Sequence, residues 1–290
     1  MTLLPFAPGD VFVPATVLEP EARYPTGMGR ILQLAADGSA RASVDTGRRG
    51  LISGLGLGPD GVLWVLDAQA RGLDRFAPDG RRLPTPHAMT DMPFGSVLFP
   101  ADGTILLAEH LCGATGPFAG GGRVYRFDAD GRPLAVYATE TNGGVSGFLG
   151  VTHMALSADG QTLFHVSETG SHIYAHDLIA DRRLGAIHTR EDPPGFLFGL
   201  AALPCGGIVV ATGGGARRLS THGEVSELPL PPGRGWANLV VRAAGFGGGL
   251  WACDFFAGRL VALDLSTGAV LADRALGLEK ALTSVAEVPA

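Results

Sequence analysis

One stretch of this chain constrains its fold more than any other. "GPDGVLWVLDAQARGLDRFAPDG", residues 58–80, reads as an Asp-Gly turn, an apolar strand, a short loop, a second strand and another Asp-Gly turn. Asp-Gly between apolar runs is the strongest local hairpin signal, because such turns need residues that tolerate positive φ. The unit returns at residues 94–139, 149–189, 197–229 and 236–275. Four strands repeating every ~40–50 residues mark a propeller blade. Two incomplete pieces are left. The N-terminal "GDVFVPAT", "GRILQLAADG" and "SARASVDTG" lack a first strand, and the C-terminal "ALTSVAEVPA" is a first strand without a blade. Joined, they complete a sixth. The expectation is an all-β, six-bladed β-propeller with four antiparallel strands per blade. It is a single domain over residues 1–290, its ring closed by residues 281–289 joining the blade begun at residue 10.

Composition agrees and narrows the partners. With 44 Gly, 20 Pro, 46% hydrophobic and 17% charged residues, the chain is globular and rich in turns. A net charge of −6 gives no electrostatic footprint for nucleic acid or an anionic membrane. The pairs Arg48-Arg49, Arg81-Arg82 and Arg217-Arg218 read as solvated surface. No stretch reaches the ~20 apolar residues of a membrane span. The start "MTLLPFAPGDVFV" lacks the basic opening and long apolar run of a signal peptide. Cys112, Cys205 and Cys253 show no CxxC spacing and read as reduced thiols. The expected setting is cytoplasmic and the expected partner a small molecule.

The two ends of the ring differ. Short, similar Asp-Gly hairpins occupy one. The other carries the long, dissimilar segments 17–29, 110–121, 140–148 and 190–196, and variable loops on a rigid scaffold are where binding usually lives. At this rim four second strands end on acids: Asp67, Glu109, Glu168 and Asp254. Each has a plain reading, a carboxylate capping a turn or pairing with Arg, and a functional one, an acid at the channel mouth. The inner strands place Ser53/Gly54, Gly95/Ser96, Thr152/His153, Phe198/Gly199, Ala237/Asn238 and Thr283/Ser284 at the same level. His153 and Asn238 are their polar exceptions. His153 with Glu168 would make a His–carboxylate pair suited to acid–base chemistry. Glu109-His110 is a second such site. The other histidines, His87, His165, His172, His176, His188 and His222, are read as surface. Phe94, Phe118, Phe148, Phe196, Phe198, Trp236, Phe255 and Phe256 gather at the rim, which suggests an apolar small-molecule pocket. The candidate substrate contacts are Asp67, His110, Phe94, Phe118, Phe148, Phe198, Trp236, Asn238 and Phe255. The candidate catalytic groups are His153, Glu168, Glu109 and Asp254.

"GVTHMALSADGQTLFHVSETGSHIYAHDL" resembles a pattern of the gluconolactonase / senescence marker protein family and the strictosidine synthase-like and NHL-repeat propellers around it. "GLAALPCGGIVVATGGGARRLS" resembles the part that follows. The resemblance implies a six-bladed propeller and, for the hydrolases, one divalent cation (Ca, Mg or Zn) at the mouth held by Glu, Asn and Asp. At those positions this chain has Thr152 for the Asn, His153 for the Gly that follows and Phe198 for the blade-five Asp. Virginiamycin B lyase-like propellers, also similar, place His on an inner strand and Glu at the end of the second. His153 and Glu168 match that placement, which implies a metal set of Glu109, His153 and Glu168 and eliminative lactone opening. Strictosidine synthase-like members imply instead a carboxylate in an apolar pocket without metal. Three functions follow: hydrolytic or eliminative opening of an ester or lactone, a metal-free lyase or condensing enzyme, and a binding propeller without chemistry.

Overall fold

The computed structural model describes residues 2–111, 122–140, 150–192, 195–242 and 249–290. It contains six antiparallel sheets, one per blade. Blade two runs Gly54–Leu57, Leu63–Asp67, Gly72–Phe76 and Arg82–Leu83, from the axis outward. Blades three to six begin with the inner strands Phe94–Leu98, His153–Leu156, Leu200–Ala202 and Trp236–Val241 and repeat the same order. The hairpin turns form for the reason their sequence gives. In the turns of blades two, three and four, Asp60, Asp102 and Asp159 accept the amides of Val62, Thr104 and Gln161 at 3.0–3.1 Å. Gly61, Gly103 and Gly160 follow at positive φ.

The core lies between the blades. Six apolar clusters fill the six interfaces, for example Phe12, Ile31, Ile52, Leu63 and Phe76 between blades one and two. A second strand therefore packs on both faces, so Leu63–Asp67, Ile105–Glu109 and Ile208–Ala211 are buried at every residue. Outermost strands such as Arg182–Thr189 and Val225–Leu228 are largely exposed. At the axis the blades approach so closely that a Cβ on Gly54 would strike the Gly95 carbonyl. Glycine is needed there for space.

The ring closes as the leftover pieces imply. Ala286–Glu287 pairs with Val11–Pro14 in the registers Val11–Glu287 and Phe12–Ala286. The Val288 amide donates to the Asp10 carbonyl at 2.8 Å. Beside this seam, Leu282 and Val285 pack with Val11, Val13 and Trp251 between blades six and one. Two of the histidines read as surface are buried. His165 and His176 are each 2% exposed, because the second and third strands of blade four respectively turn them into the interface with blade three. His176 stacks edge-on against Tyr137 at 5.5 Å, and its Nε2 meets Asp181 at 3.0 Å.

The closing segment should carry stability as a core element does. Leu282→Ala, at a fully buried position, is expected to cost about 2–5 kcal/mol in urea unfolding. Leu271→Ala, on an outer strand and 51% exposed, should change stability by less than about 0.5 kcal/mol. Equal, small effects would mean that the closing segment does not seal the ring.

Candidate active site

The loop-bearing end of the ring opens into a cavity of about 820 Å³. Its floor is the ring expected of the inner strands: Ser53, Thr152, Phe198, Ala237 and Thr283 line it, and His110 covers the blade-three position. A Cβ on Gly95 would lie 2.6 Å from the His110 Cβ, so glycine at 95 makes room for that imidazole. The floor hydroxyls are already engaged. Ser53 Oγ donates to the Leu66 carbonyl at 3.3 Å, Thr152 Oγ1 to Val166 at 3.2 Å and Thr283 Oγ1 to Ile52 at 2.6 Å. They brace the ring. Phe196, Phe198, Trp236, Phe255, Phe256 and Tyr24 supply the apolar wall.

Of the four acids at strand ends, three hold structure together. Asp67 Oδ1 accepts the amides of Ala70 at 2.9 Å and Leu51 at 3.2 Å, so it caps the turn that leaves its strand. Burial raises its carboxyl above the ordinary range. Glu109 is fully buried: Arg123 Nε donates to Oε2 at 3.0 Å, and the Tyr125 hydroxyl to Oε1 at 2.8 Å. Asp254 accepts the amides of Arg234 at 2.7 Å and Ala257 at 3.2 Å. None of the three lines the cavity. Asp67 and Asp254 thus cap turns, while Glu109 is held by Arg123 and Tyr125 from its own blade.

Glu168 differs because its blade is out of step. His153 pairs with Val166 as Gly54 pairs with Leu66. The counterpart of Asp67 is therefore Ser167, and Glu168 lies one residue further along. Ser167 does the local work, its carbonyl accepting the Gly170 amide at 2.7 Å. The second strand of blade four ends at Val166, and Glu168 lies in the turn beyond it. Glu168 lines the cavity, and no hydrogen bond or ion pair engages it among the described residues. Burial against the apolar wall pushes its carboxyl up to about 7.

His153 shares the cavity, and neither of its ring nitrogens has a hydrogen-bond partner among the described residues. Burial, and secondarily the neighbouring His110, pull its imidazole down to about 3. Burial alone takes His110 to about 4. Both rings are neutral at physiological pH. His153 and Ser53 also line a second cavity, of about 590 Å³, on the hairpin side of the axis.

The remaining candidates divide. Phe198, Trp236, Phe255 and His110 line the mouth as expected. Phe94 is fully buried between blades two and three, against Tyr125 and Phe127, and belongs to the core. Asn238 faces the hairpin-side cavity, its Nδ2 donating to the Thr283 carbonyl at 3.0 Å and its Oδ1 accepting the Leu239 amide at 2.8 Å. Phe118 and Phe148 lie outside the described residues. Tyr24, Gln69 and Lys280 line the cavity without having been singled out in the sequence. Tyr24 stands in one of the long rim segments, which was its available signal. Gln69 and Lys280 lie in short links that carried none.

Among the described residues, the set Glu109, His153 and Glu168 does not come together as a site for a divalent cation. Both oxygens of Glu109 are taken by Arg123 and Tyr125. Among the described residues, no three His, Cys, Asp or Glu side chains converge to hold a metal ion.

No protein-family model matches the sequence, and no curated protein matches it. Solved structures match at the level of fold. A protein of unknown function from Bacteroides caccae is 15% identical over 97% of this chain and 99% of its own, with a TM-score of 0.70. A catalytically inactive virginiamycin B lyase from Staphylococcus aureus, with quinupristin, is 17% identical over 97% and 90%, with a TM-score of 0.59. A gluconolactonase from Xanthomonas campestris is 19% identical over 78% and 75%, with a TM-score of 0.57. At 15–19% identity these likenesses are of the fold alone.

The raised carboxyl makes a prediction about stability. Glu168 titrates near 7 when folded against an ordinary 4.5. Its favourable contribution is complete below pH 4.5 and lost as pH rises through 7, because ionisation costs more in the cavity than in water. Glu168→Gln should therefore gain stability over the parent between pH 5 and pH 8, by up to about 3 kcal/mol at ~1.4 kcal/mol per unit. Parallel unfolding curves at both pH values would place the carboxyl in solvent.

Proposed function

We propose that the chain is a small-molecule enzyme that opens an ester or lactone by proton transfer, with Glu168 as the acid–base group and His153 as its neutral partner. One observation carries this reading: a carboxyl without hydrogen bond or ion pair among the described residues, pushed up to about 7 in an apolar cavity. A general acid or base works best when its pKa lies near the operating pH. A fold that needed a cap there would have used the carboxyl as it uses Asp67 and Asp254.

In hydrolysis, the Glu168 carboxylate takes a proton from water as the water oxygen bonds to the acyl carbon, and returns it to the departing alkoxide. In elimination, it takes the proton from the alkyl-side carbon adjacent to the one that bears the ester oxygen; a carbon–carbon double bond forms between those two carbons as the alkyl carbon–oxygen bond breaks, and the acyl part leaves as a carboxylate. In either case, a neutral His153 can donate one hydrogen bond to the acyl oxygen without itself losing a proton. Neutral imidazole is suited to that role where burial prevents its protonation. The apolar wall excludes bulk water and strengthens both interactions. The structural likeness to a lyase and a lactonase supports an enzymatic propeller. The choice of reaction rests on Glu168, because a propeller hosts many chemistries.

A panel of aryl and alkyl esters and lactones would identify a turned-over substrate. On it, Glu168→Gln should lower kcat/KM by about 10²–10⁴-fold, and His153→Ala by a smaller factor. kcat/KM should rise with pH through about 7 as the carboxyl ionises, and that inflection should vanish in Glu168→Gln. A chelator such as EDTA should leave turnover unchanged. Undiminished turnover in both variants removes the pair as the site, and ligand binding without turnover across the panel favours a binding propeller.

A further inference from the structure

Lys280 is the one lysine among the 22 Lys and Arg residues of the chain, and it lies on the wall of the mouth cavity. It occurs where blade six gives way to the closing segment, with its backbone left-handed at φ 59°. Its amide donates to the Phe255 carbonyl at 2.7 Å, which ties it to the aromatic side of the mouth. Left-handed backbone favours glycine, and Gly277, three residues earlier, shows the same link using glycine at φ 67°.

That side chain is exposed, and among the described residues no carboxylate lies within ion-pair distance of it. The arginines around the ring are mostly committed: Arg30, Arg49, Arg190, Arg217 and Arg259, for example, each hold an acid. No arginine lines the cavity, and its two histidines are neutral, so Lys280 is the one cation on the described wall. The same cavity wall carries Phe255, Phe256, Phe198 and Tyr24. We propose that the mouth takes an amphipathic ligand with an aromatic or apolar body and one carboxylate, and that Lys280 holds the carboxylate at the rim.

A single mobile ammonium suits a monoanion. A phosphate is usually met by several donors or by a planar guanidinium, and this wall offers neither. The inference names the substrate class of the site assigned above and rests on that site being a ligand pocket.

The test compares 2-naphthylacetate with its uncharged amide, 2-naphthylacetamide, by NMR titration of the full chain. The parent should bind the carboxylate at least threefold more tightly than the amide, with the difference shrinking as salt is raised. Lys280→Gly removes the charge while suiting the backbone, so it should abolish the preference without lowering Tm. Lys280→Arg should keep it. Equal binding of the two probes by the parent, or a preference that survives in Lys280→Gly, overturns the inference and leaves the pocket standing. Binding of neither probe overturns the inference together with the pocket itself.

Discussion

Burial between blades is the interaction on which the rest of this structure depends. A four-stranded sheet with apolar residues on both faces cannot be stable alone, and each blade here relies on two neighbours to cover it. Such an array has no natural end, so it must either be capped or meet itself. It meets itself through Val11, Phe12, Ala286 and Glu287. The floor of the mouth follows from that closure, since Thr283 and Lys280 reach the cavity on the segment that leads to the seam. The Thr283 hydroxyl then ties blade one's final strand connection to the axis through the Ile52 carbonyl.

Similar acids in similar places have taken different parts for a geometric reason. A strand that ends on an acid delivers its carboxyl to the amides of the turn beyond, which are the nearest unsatisfied donors. Asp67 and Asp254 do this, and Glu109 meets Arg123 and Tyr125 from the third strand of its own blade. Moving the acid one position along takes it away from those donors. Ser167 occupies the structural position, and the carboxyl of Glu168 is left facing the aromatic wall. The chemistry of the mouth thus follows from a register difference of a single residue.

The sequence showed the architecture well because its signals are local. Each Asp-Gly turn announces its own hairpin, and the two incomplete ends could be matched by the strands each lacked. The inner-strand ring was legible by counting back from those turns, which located each position to one of two neighbours, Ser53 or Gly54 and Thr152 or His153 for example. What could not be read depends on contacts between distant segments. Nothing near Glu109 announces that Arg123 and Tyr125 will engage it. Phe94 looks like any rim aromatic until Phe127 and Tyr125 are placed beside it. The same alignment that located the ring set Glu168 level with Asp67, because the letters "HVSETG" and "WVLDAQ" do not reveal where pairing stops. Lys280 gave no sign at all, since a left-handed backbone is a property of the folded link.

The seam also has a mechanical character that its chemistry does not suggest. Its strands run antiparallel, and the free ends of both, near Asp10 and Val288, leave from the same side. A force drawing Gly9 and Val288 apart would load the bonds that join Val288 to Gly9 and Asp10 first, then the next, as a zipper opens tooth by tooth. A ring sealed this way resists heat through its buried side chains and yields to tension at its clasp.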